Sequence, residues 1–244
     1  MKLFVDTARL PDIEAALKRG FVRGVTTNPS LLAKEPKGNF NAHVGKILDL
    51  INKYQPSAHL SVEVFSKDPQ EILKQARNFK ETFKHPQLSI KIPVGWDELE
   101  VIRELSQNGF SVNCTCNMSV SQALMAAAAG ASYVSLFWGR IGDGGMHPNW
   151  TEAKSALIKK GAMKEGDFDP PHVVRTVRSM LDDSYPDAQI IVGSIRHGTD
   201  VIEAGMAGAH IVTVPPKFFP NMISHFKTDE VVGQFLKDFE KWLE

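Results

Sequence analysis

The sequence predicts a closed barrel of eight parallel β-strands surrounded by helices, the (β/α)8 or TIM-barrel class of the α/β folds. Short runs of β-branched and aromatic residues alternate with amphipathic helical stretches along the chain. Eight such runs occur, and 244 residues is a length typical of eight strand–helix units. The sequence contains no linker and no low-complexity tract, so residues 1–244 are predicted to form one catalytic domain.

The eight predicted strands are rich in residues that favour the extended conformation. They are Leu3–Val5, Val22–Val25, Leu60–Phe65, Leu88–Val94, Ser111–Cys116, Tyr133–Phe137, Gln189–Val192 and His210–Val214. The alternative is an open, doubly wound sheet, which normally carries a glycine-rich phosphate loop after its first strand. Asp6–Arg9 follows that strand here and contains no glycine, which favours the closed barrel.

Helix signals fill most of the gaps between these strands. Proline or a capping side chain opens the predicted helices, and glycine ends several of them. They are Asp12–Lys18, Asn41–Tyr54, Gln70–Phe83, Glu98–Leu105, Gln122–Ala129 (capped by Ser119 or Ser121), Pro171–Leu181 and Asp200–Met206. Two segments, Ala33–Ser57 and Gly139–Pro171, break the alternation. The second is rich in glycine, aspartate and proline, and it is predicted to be a functional loop.

The charge balance disfavours two classes of partner. The 28 basic residues equal the 28 acidic ones, so no net positive field attracts nucleic acid or an anionic membrane. The N-terminus reaches Asp6 after the short apolar run Leu3–Val5, too little for an export signal. Leu105–Gly139 is uncharged, but its asparagine and glutamine residues make it too polar for a membrane span. We expect a cytoplasmic protein that binds neither nucleic acid nor membrane.

The cysteines and histidines predict no metal site. Cys114 and Cys116 lie two residues apart in a predicted strand, so both are expected on the same face. Two thiols alone complete neither a disulfide framework nor a tetrahedral zinc site. We interpret them as reduced packing residues. The eight histidines show no metal-binding spacing.

Lys91 is the most informative polar residue in the predicted strands. It stands between Ile90 and Ile92, so alternation places it inside the barrel. A charged ammonium is costly to bury, and burial therefore favours the neutral amine. A neutral amine can attack a ketone and form a Schiff base. The alternative is an edge-strand lysine whose ammonium reaches solvent.

Polar side chains recur in or just after seven of the eight predicted strands, toward the end where barrel active sites form. They are Asp6, Asn28, Glu63, Lys91, Asn113, Thr115, Ser135 and Ser194. The carboxylates suit proton transfer, while the amides and hydroxyls suit a polyol substrate. Taken singly, Asn28 fits a turn, Asp6 a helix cap and Ser135 a filling residue. Their joint recurrence favours a site.

Two arginines follow the sixth and seventh strands. Barrels often bind phosphate near the last strands, and Arg140 and Arg196 with Ser194 suit a phosphate dianion. The alternative is a pair of surface arginines. The glycines around Arg140 precede no Gly-Lys-Ser/Thr sequence, so they form no Walker loop.

Several of these segments together resemble the transaldolase family along nearly the whole chain. The matching motifs are Val5–Thr7, Gly24–Ser30, Lys91–Pro93, Asn113–Thr115, Ala129–Ala131, Gly139–Ile141 and Ser194–Arg196. The length is similar to that of the short branch of the family, which also contains fructose-6-phosphate aldolases.

The resemblance implies a role for each candidate residue. Lys91 would form the Schiff base, and Asp6 would be the acid/base at the C4 hydroxyl. Glu63 and Thr115 would hold and activate the water of imine formation and hydrolysis. The implied substrate-binding residues are Thr26, Asn28, Asn113, Ser135, Phe137, Arg140, Ser194 and Arg196. The resemblance also implies sugar-phosphate substrates, a homo-oligomer and no cofactor, because the lysine itself is the electron sink.

The resemblance further implies a reaction of the pentose phosphate pathway. Transaldolases move a dihydroxyacetone unit from fructose 6-phosphate to erythrose 4-phosphate, giving sedoheptulose 7-phosphate and glyceraldehyde 3-phosphate. Aldolases of the family typically carry Gln at the position of Glu63 and Tyr at that of Phe137, so both residues here favour the transaldolase branch. An aldolase that releases free dihydroxyacetone and a non-catalytic sugar-phosphate-binding barrel are the alternatives.

Three residues depart from the family pattern near the expected phosphate end. Leu136 and Trp138 replace the usual Pro and Val, and Ile195 replaces a Phe. They leave the physiological donor and acceptor open, including a sulfonated sugar.

Overall fold

The computed structural model describes residues 1–243 and confirms the predicted barrel. Eight parallel strands close in sequence order, because β1 pairs with both β2 and β8. The strands are β1 Lys2–Asp6, β2 Val22–Thr26, β3 His59–Glu63, β4 Leu88–Pro93, β5 Ser111–Asn117, β6 Tyr133–Phe137, β7 Gln189–Gly193 and β8 Ile211–Val214. All eight predicted strands are present. Residue 244, the last residue of the predicted domain, lies outside the described residues.

Twelve helices accompany the strands in the described part of the chain. They are α1 Leu10–Lys18, α2 Pro29–Leu32, α3 Phe40–Tyr54, α4 Pro69–Phe83, α5 Trp96–Gln107, α6 Val120–Ala128, α7 Trp138–Met146, α8 Thr151–Lys159, α9 Pro170–Ser184, α10 Gly198–Met206, α11 Phe219–Ile223 and α12 Phe226–Leu243. Short 3-10 turns occur at Pro148–Trp150, Glu165–Phe168 and Pro216–Phe218. The seven predicted helices are confirmed, whereas α2, α7, α8, α11 and α12 were not predicted. None of the helices within residues 1–243 has both the length and the apolar character needed to cross a bilayer.

The prediction of a functional loop over Gly139–Pro171 is wrong, because most of that segment is helical. It forms most of α7, all of α8 and two 3-10 turns. Its glycines serve close packing: a Cβ added at Gly145 would lie 3.0 Å from the side chain of Phe168, and one at Gly144 would lie 3.4 Å from it. Lys154 lies over the same ring, 4.9 Å from its centre. Glycine therefore marks helix contacts here rather than an open loop.

Helix ends follow the capping chemistry that the sequence indicates. Asp68 accepts a hydrogen bond from the backbone N–H of Glu71 at the start of α4 (2.8 Å). Ser119 caps α6 by accepting from the N–H of Gln122 (3.3 Å), while Ser121, the other candidate, lies inside the helix. These caps satisfy backbone groups that a helix end leaves free.

The alternation of side chains along each strand separates two layers. In β4, Ile90 and Ile92 are buried against the helices, whereas Lys91 points into the barrel. In β3, Leu60 packs outward and Glu63 lies inside, beside Lys91 in the strand register. The outward layer forms the main apolar core, and the inward layer is left to form the site.

Candidate active site

A cavity of about 360 Å³ opens at the carboxyl end of the barrel, a volume suited to a small-molecule ligand. Every strand contributes to its wall, either directly or through the residues that follow it. The lining consists of Asp6, Thr26, Asn28, Pro29, Ser30, Glu63, Lys91, Cys116, Ser135, Phe137, Arg140, Ile191, Gly193, Ser194 and Thr213.

Lys91 and Glu63 form a buried ion pair in this cavity. The Lys91 Nζ lies 2.9 Å from Glu63 Oε2, and the two side chains are 6% and 11% exposed. The same nitrogen donates a hydrogen bond to the carbonyl oxygen of Thr27 (3.2 Å). An amine must lose a proton before it can act as a nucleophile, and the Glu63 carboxylate is within reach to accept it.

Asp6 is the second carboxyl group of the cavity and has a different environment. Its Oδ1 accepts a hydrogen bond from the hydroxyl of Thr26 (2.7 Å), which itself lies 2.6 Å from the hydroxyl of Thr213. Burial raises the pKa of Asp6 above its usual range, and the charge of Lys91 and the bond from Thr26 partly offset this effect. A carboxyl group with a raised pKa is suited to exchanging a proton with a bound substrate.

A chain of hydrogen bonds links the cavity to the interior of the barrel. The Ser135 hydroxyl donates to Asn113 Oδ1 (2.7 Å), and Asn113 Nδ2 donates to the Ser61 hydroxyl (3.0 Å). Ser61 Oγ also lies 2.6 Å from His59 Nε2, a hydrogen-bond distance, which extends the chain to the His59 ring. Because Ser135 spends its hydrogen on Asn113, it presents lone pairs to the cavity and can accept a hydrogen bond from a ligand hydroxyl.

Asn113 and Thr115 lie behind the cavity wall rather than in it. Both are fully buried, and both polar groups of Asn113 are engaged with barrel hydroxyls. Thr115 Oγ1 has no hydrogen-bond partner within residues 1–243. A buried hydroxyl without a partner costs about 1–3 kcal/mol, so this group is able to bind a further polar atom.

Asn28 and Phe137 line the cavity from the segments that follow β2 and β6. Asn28 Oδ1 accepts from the N–H of Leu31 (2.9 Å) and caps α2, which leaves its Nδ2 to donate. Asn28 therefore combines the two predicted roles, because it caps a turn of helix and also lines the cavity. Phe137 precedes α7 and presents an aromatic ring without a hydroxyl.

Arg140 and Arg196 lie in different surroundings. Arg140 is exposed and lines the cavity, whereas Arg196 lies outside the lining. Both terminal nitrogens of Arg196 donate to the two carboxylate oxygens of Asp143. Sequence analysis missed Asp143, and its only signal is a carboxylate three residues after Arg140.

Cys116 lines the cavity, although the sequence did not predict it there. The prediction that it shares a face with Cys114 is wrong, because the strand register shifts between Cys114 and Asn117 and Cys116 adopts a left-handed φ of 63°. Cys114 therefore packs in the apolar core, while Cys116 lines the cavity. Burial first, and the charge of Glu63 second, raise the pKa of the Cys116 thiol, which keeps it protonated.

Ser194, at the end of β7, also lines the cavity with a positive φ, 59°. A left-handed conformation at a residue other than glycine is strained by about 1–3 kcal/mol. Such strain persists where the surrounding structure holds it and is common at functional sites. Among residues 1–243, no group of three or more histidine, cysteine, aspartate or glutamate side chains is arranged to hold a metal ion.

Comparison with known proteins identifies the family of the chain. A family model described as transaldolase/fructose-6-phosphate aldolase matches residues 3–244. A probable transaldolase of Caldicellulosiruptor saccharolyticus is 40% identical over 243 residues, which cover 99% of this chain and 98% of that protein. Probable transaldolases of Dehalococcoides mccartyi and Alkaliphilus metalliredigens are 35% and 36% identical over 240 residues, covering 98% of both chains in each case. The chain therefore belongs to the transaldolase/fructose-6-phosphate aldolase family.

Proposed function

We propose that the protein is a transaldolase that transfers a dihydroxyacetone unit from a ketose phosphate to an aldose phosphate through a Schiff base on Lys91. The observation that carries the proposal is the buried Lys91–Glu63 pair, 2.9 Å apart, in a cavity that also holds Asp6. A nucleophilic amine, a base beside it and a separate carboxyl group with a raised pKa are the groups this chemistry requires.

The first half of the reaction forms and cleaves the donor adduct. Lys91 Nζ, after losing a proton to Glu63, attacks the C2 carbonyl of fructose 6-phosphate, and loss of water from the adduct gives the imine. Asp6 then removes the proton of the C4 hydroxyl. The C3–C4 bond breaks, its electron pair passes into the imine to form an enamine, and glyceraldehyde 3-phosphate leaves.

The second half runs the same steps in reverse on a new aldehyde. The enamine carbon attacks erythrose 4-phosphate, the new alkoxide takes a proton from Asp6, and water hydrolyses the imine to release sedoheptulose 7-phosphate. Glu63 and the unpartnered hydroxyl of Thr115 would hold that water. No cofactor is required, because the protonated imine accepts the electron pair.

The remaining residues bind the two ends of the donor. Ser135 accepts a hydrogen bond from a hydroxyl of the three-carbon unit, and Asn28 donates one from Nδ2. Asn113 acts on Ser135, whose hydroxyl it fixes. Arg140 and Ser194 bind the phosphate from the cavity wall, and Arg196 reaches it from beside that wall. Residues 1–244 act as one catalytic domain of a cytoplasmic homo-oligomer in the pentose phosphate pathway.

Phe137 and Glu63 favour transfer over release of free dihydroxyacetone. Release requires protonation of the enamine carbon, and Phe137 has no hydroxyl to supply or position the proton. The enamine therefore waits for an acceptor. With fructose 6-phosphate as donor, we expect transfer to erythrose 4-phosphate to exceed dihydroxyacetone release by at least about tenfold, since one acid/base group typically contributes about 10²-fold or more.

The test measures both products with and without erythrose 4-phosphate. Phe137→Tyr should raise release and narrow the difference, and Glu63→Gln should slow transfer. Equal rates of release and transfer in the unaltered protein would overturn this proposal and assign the protein as an aldolase. Failure to trap any imine with borohydride, in a protein that still binds sugar phosphates, would favour a non-catalytic barrel.

A further inference from the structure

Three charged groups lie in or beside the phosphate end of the cavity: Arg140 in the lining, and Arg196 and Asp143 beside it. Arg140 and Arg196 each carry a positive charge, and Asp143 lies against Arg196 through both carboxylate oxygens. The hydrogen bonds from Arg196 are the main cause of a lowered pKa for Asp143, with the charges of Arg140 and His147 also contributing. Asp143 is therefore a carboxylate at neutral pH, and it acts on both arginines.

The fold holds this ion pair from both sides. On the α7 side, Gly139 lets the Arg196 side chain lie against the helix, since a Cβ there would be 2.5 Å from Arg196 Nε and 2.7 Å from the Ser194 carbonyl oxygen. The Gly139 N–H donates to that oxygen (3.1 Å). On the β7 side, the backbone N–H of Arg196 donates to Asp200 Oδ2 (2.8 Å). The pairing is thus built into the junction of the two segments.

The geometry of the pair matters for a phosphate ligand. A guanidinium binds carboxylate and phosphate with the same fork of two parallel N–H groups. Asp143 occupies the fork formed by the two terminal nitrogens of Arg196, so a phosphate has to compete for it. The pair leaves Arg140 as the arginine that faces the cavity.

We propose that Asp143 is a specificity-determining residue that weakens the binding of a doubly charged phosphate by holding Arg196. This inference rests on the proposed function, in which this end of the cavity receives the sugar phosphate. In that reaction glyceraldehyde 3-phosphate must leave, and erythrose 4-phosphate must enter the same phosphate site, while the three-carbon unit stays on Lys91. Moderate phosphate affinity favours that exchange, because tight binding of the first aldehyde would slow its release.

The direct test measures the affinity for inorganic phosphate by titration calorimetry at neutral pH. Asp143→Asn keeps the shape of the side chain and removes its charge, and it should tighten phosphate binding by roughly 3- to 10-fold. Asp182→Asn is the matched control, because Asp182 also accepts from an arginine with both oxygens, Nε of Arg178 at 2.8 Å, on the outer helix α9. That control should leave phosphate affinity unchanged.

A double variant shows whether the effect passes through Arg196. In an Arg196→Gln background, Asp143→Asn should give less than half of its gain in phosphate affinity. In kinetics, Asp143→Asn should lower the KM for fructose 6-phosphate, while the yield of imine trapped on Lys91 at saturating substrate stays constant. Unchanged or weaker phosphate binding in Asp143→Asn, or a full gain without Arg196, would overturn the inference. Absence of the Lys91 imine would overturn the proposed function instead, and the phosphate titration would still judge Asp143.

Discussion

The two ends of the barrel interior, the floor and the mouth, differ in the polar groups that they bury. At the floor, which we define as Phe4, His59, Tyr133 and Ile211, the His59 ring lies between two aromatic rings, with ring centres 5.0 Å from Phe4 and 4.9 Å from Tyr133. Burial lowers the pKa of His59 to about 3, so the ring is neutral, and its Nε2 lies 2.6 Å from the Ser61 hydroxyl oxygen, a hydrogen-bond distance. At the floor this buried polar ring is thus uncharged and paired with a hydroxyl.

The mouth, which we define as the cavity lining, keeps features that reduce stability. It contains the buried charges of Lys91 and Glu63, and left-handed residues at Cys116 and Ser194. The unpartnered hydroxyl of Thr115 lies just behind it. Buried charges and strained backbone cost free energy, so their concentration at one end of an otherwise regular barrel indicates a function that needs them.

The largest expected effect comes from removing the nucleophile of the mouth. Lys91→Met should reduce turnover by at least about 10⁴-fold, because Lys91 is the one amine among the described residues that line the cavity. Borohydride reduction in the presence of fructose 6-phosphate should label the unaltered protein on the Lys91 peptide and leave the variant unlabelled. Circular dichroism should show that the variant keeps its fold. An adduct on another lysine would contradict the assignment of Lys91 as the Schiff-base residue.

Lys91 also shows how much of the candidate site could be predicted from the sequence. Its position between Ile90 and Ile92 places it inside the barrel by alternation alone, and the same rule places Glu63 inside. Asp6 is placed at the carboxyl end of its strand because it directly follows the predicted run Leu3–Val5. Alternation fails where the backbone departs from regularity. The register shift in β5 turns Cys116 into the cavity, and such a shift has no signature in side-chain type.

The sequence also cannot tell which groups a charged side chain will meet. Arg196 was expected at the phosphate, but its partner Asp143 comes from a glycine-rich segment that was predicted to be a loop. Asn113 has the right chemistry for a polyol, but it lies one layer behind the wall and acts on Ser135. Pairing of this kind depends on tertiary contacts between segments that are distant in the chain.

The next largest effect concerns the phosphate end of the mouth. Arg140→Ala and Arg196→Ala should each lower kcat/KM for phosphorylated sugars by roughly 10- to 150-fold, the range for a charge-assisted hydrogen bond. Reactions of unphosphorylated fructose or dihydroxyacetone should change much less, since they lack the anionic group. Steady-state kinetics with both kinds of substrate make the comparison. An equal loss on both would assign the arginines to the fold.

The smallest expected effect on turnover comes from the floor, where the change should appear in stability instead. His59→Phe keeps the aromatic packing and removes a hydrogen-bond partner of the buried Ser61 hydroxyl. An unmatched buried hydroxyl should lower the free energy of unfolding at pH 7 by about 1–3 kcal/mol, measured by urea denaturation. The kcat of the folded protein should remain within about threefold of the unaltered value, since His59 is absent from the cavity lining and connects to Ser135 through two intervening residues, Ser61 and Asn113.

Lowering the pH provides a further test of the difference in stability between the unaltered protein and His59→Phe, because the native and unfolded states differ in their proton affinity at His59. The unfolded ring takes up a proton near pH 6.5, whereas burial holds the native ring neutral down to about pH 3. The unaltered protein therefore loses roughly 1 kcal/mol of stability per pH unit through this group as the pH falls below 6.5, and His59→Phe does not. The difference between the two proteins should shrink on acidification and reverse in sign between about pH 6 and 4. A difference in stability that stays constant from pH 7 to 4 would mean that His59 has the same pKa in the native and unfolded states. The floor would then accommodate a buried charge, as the mouth does.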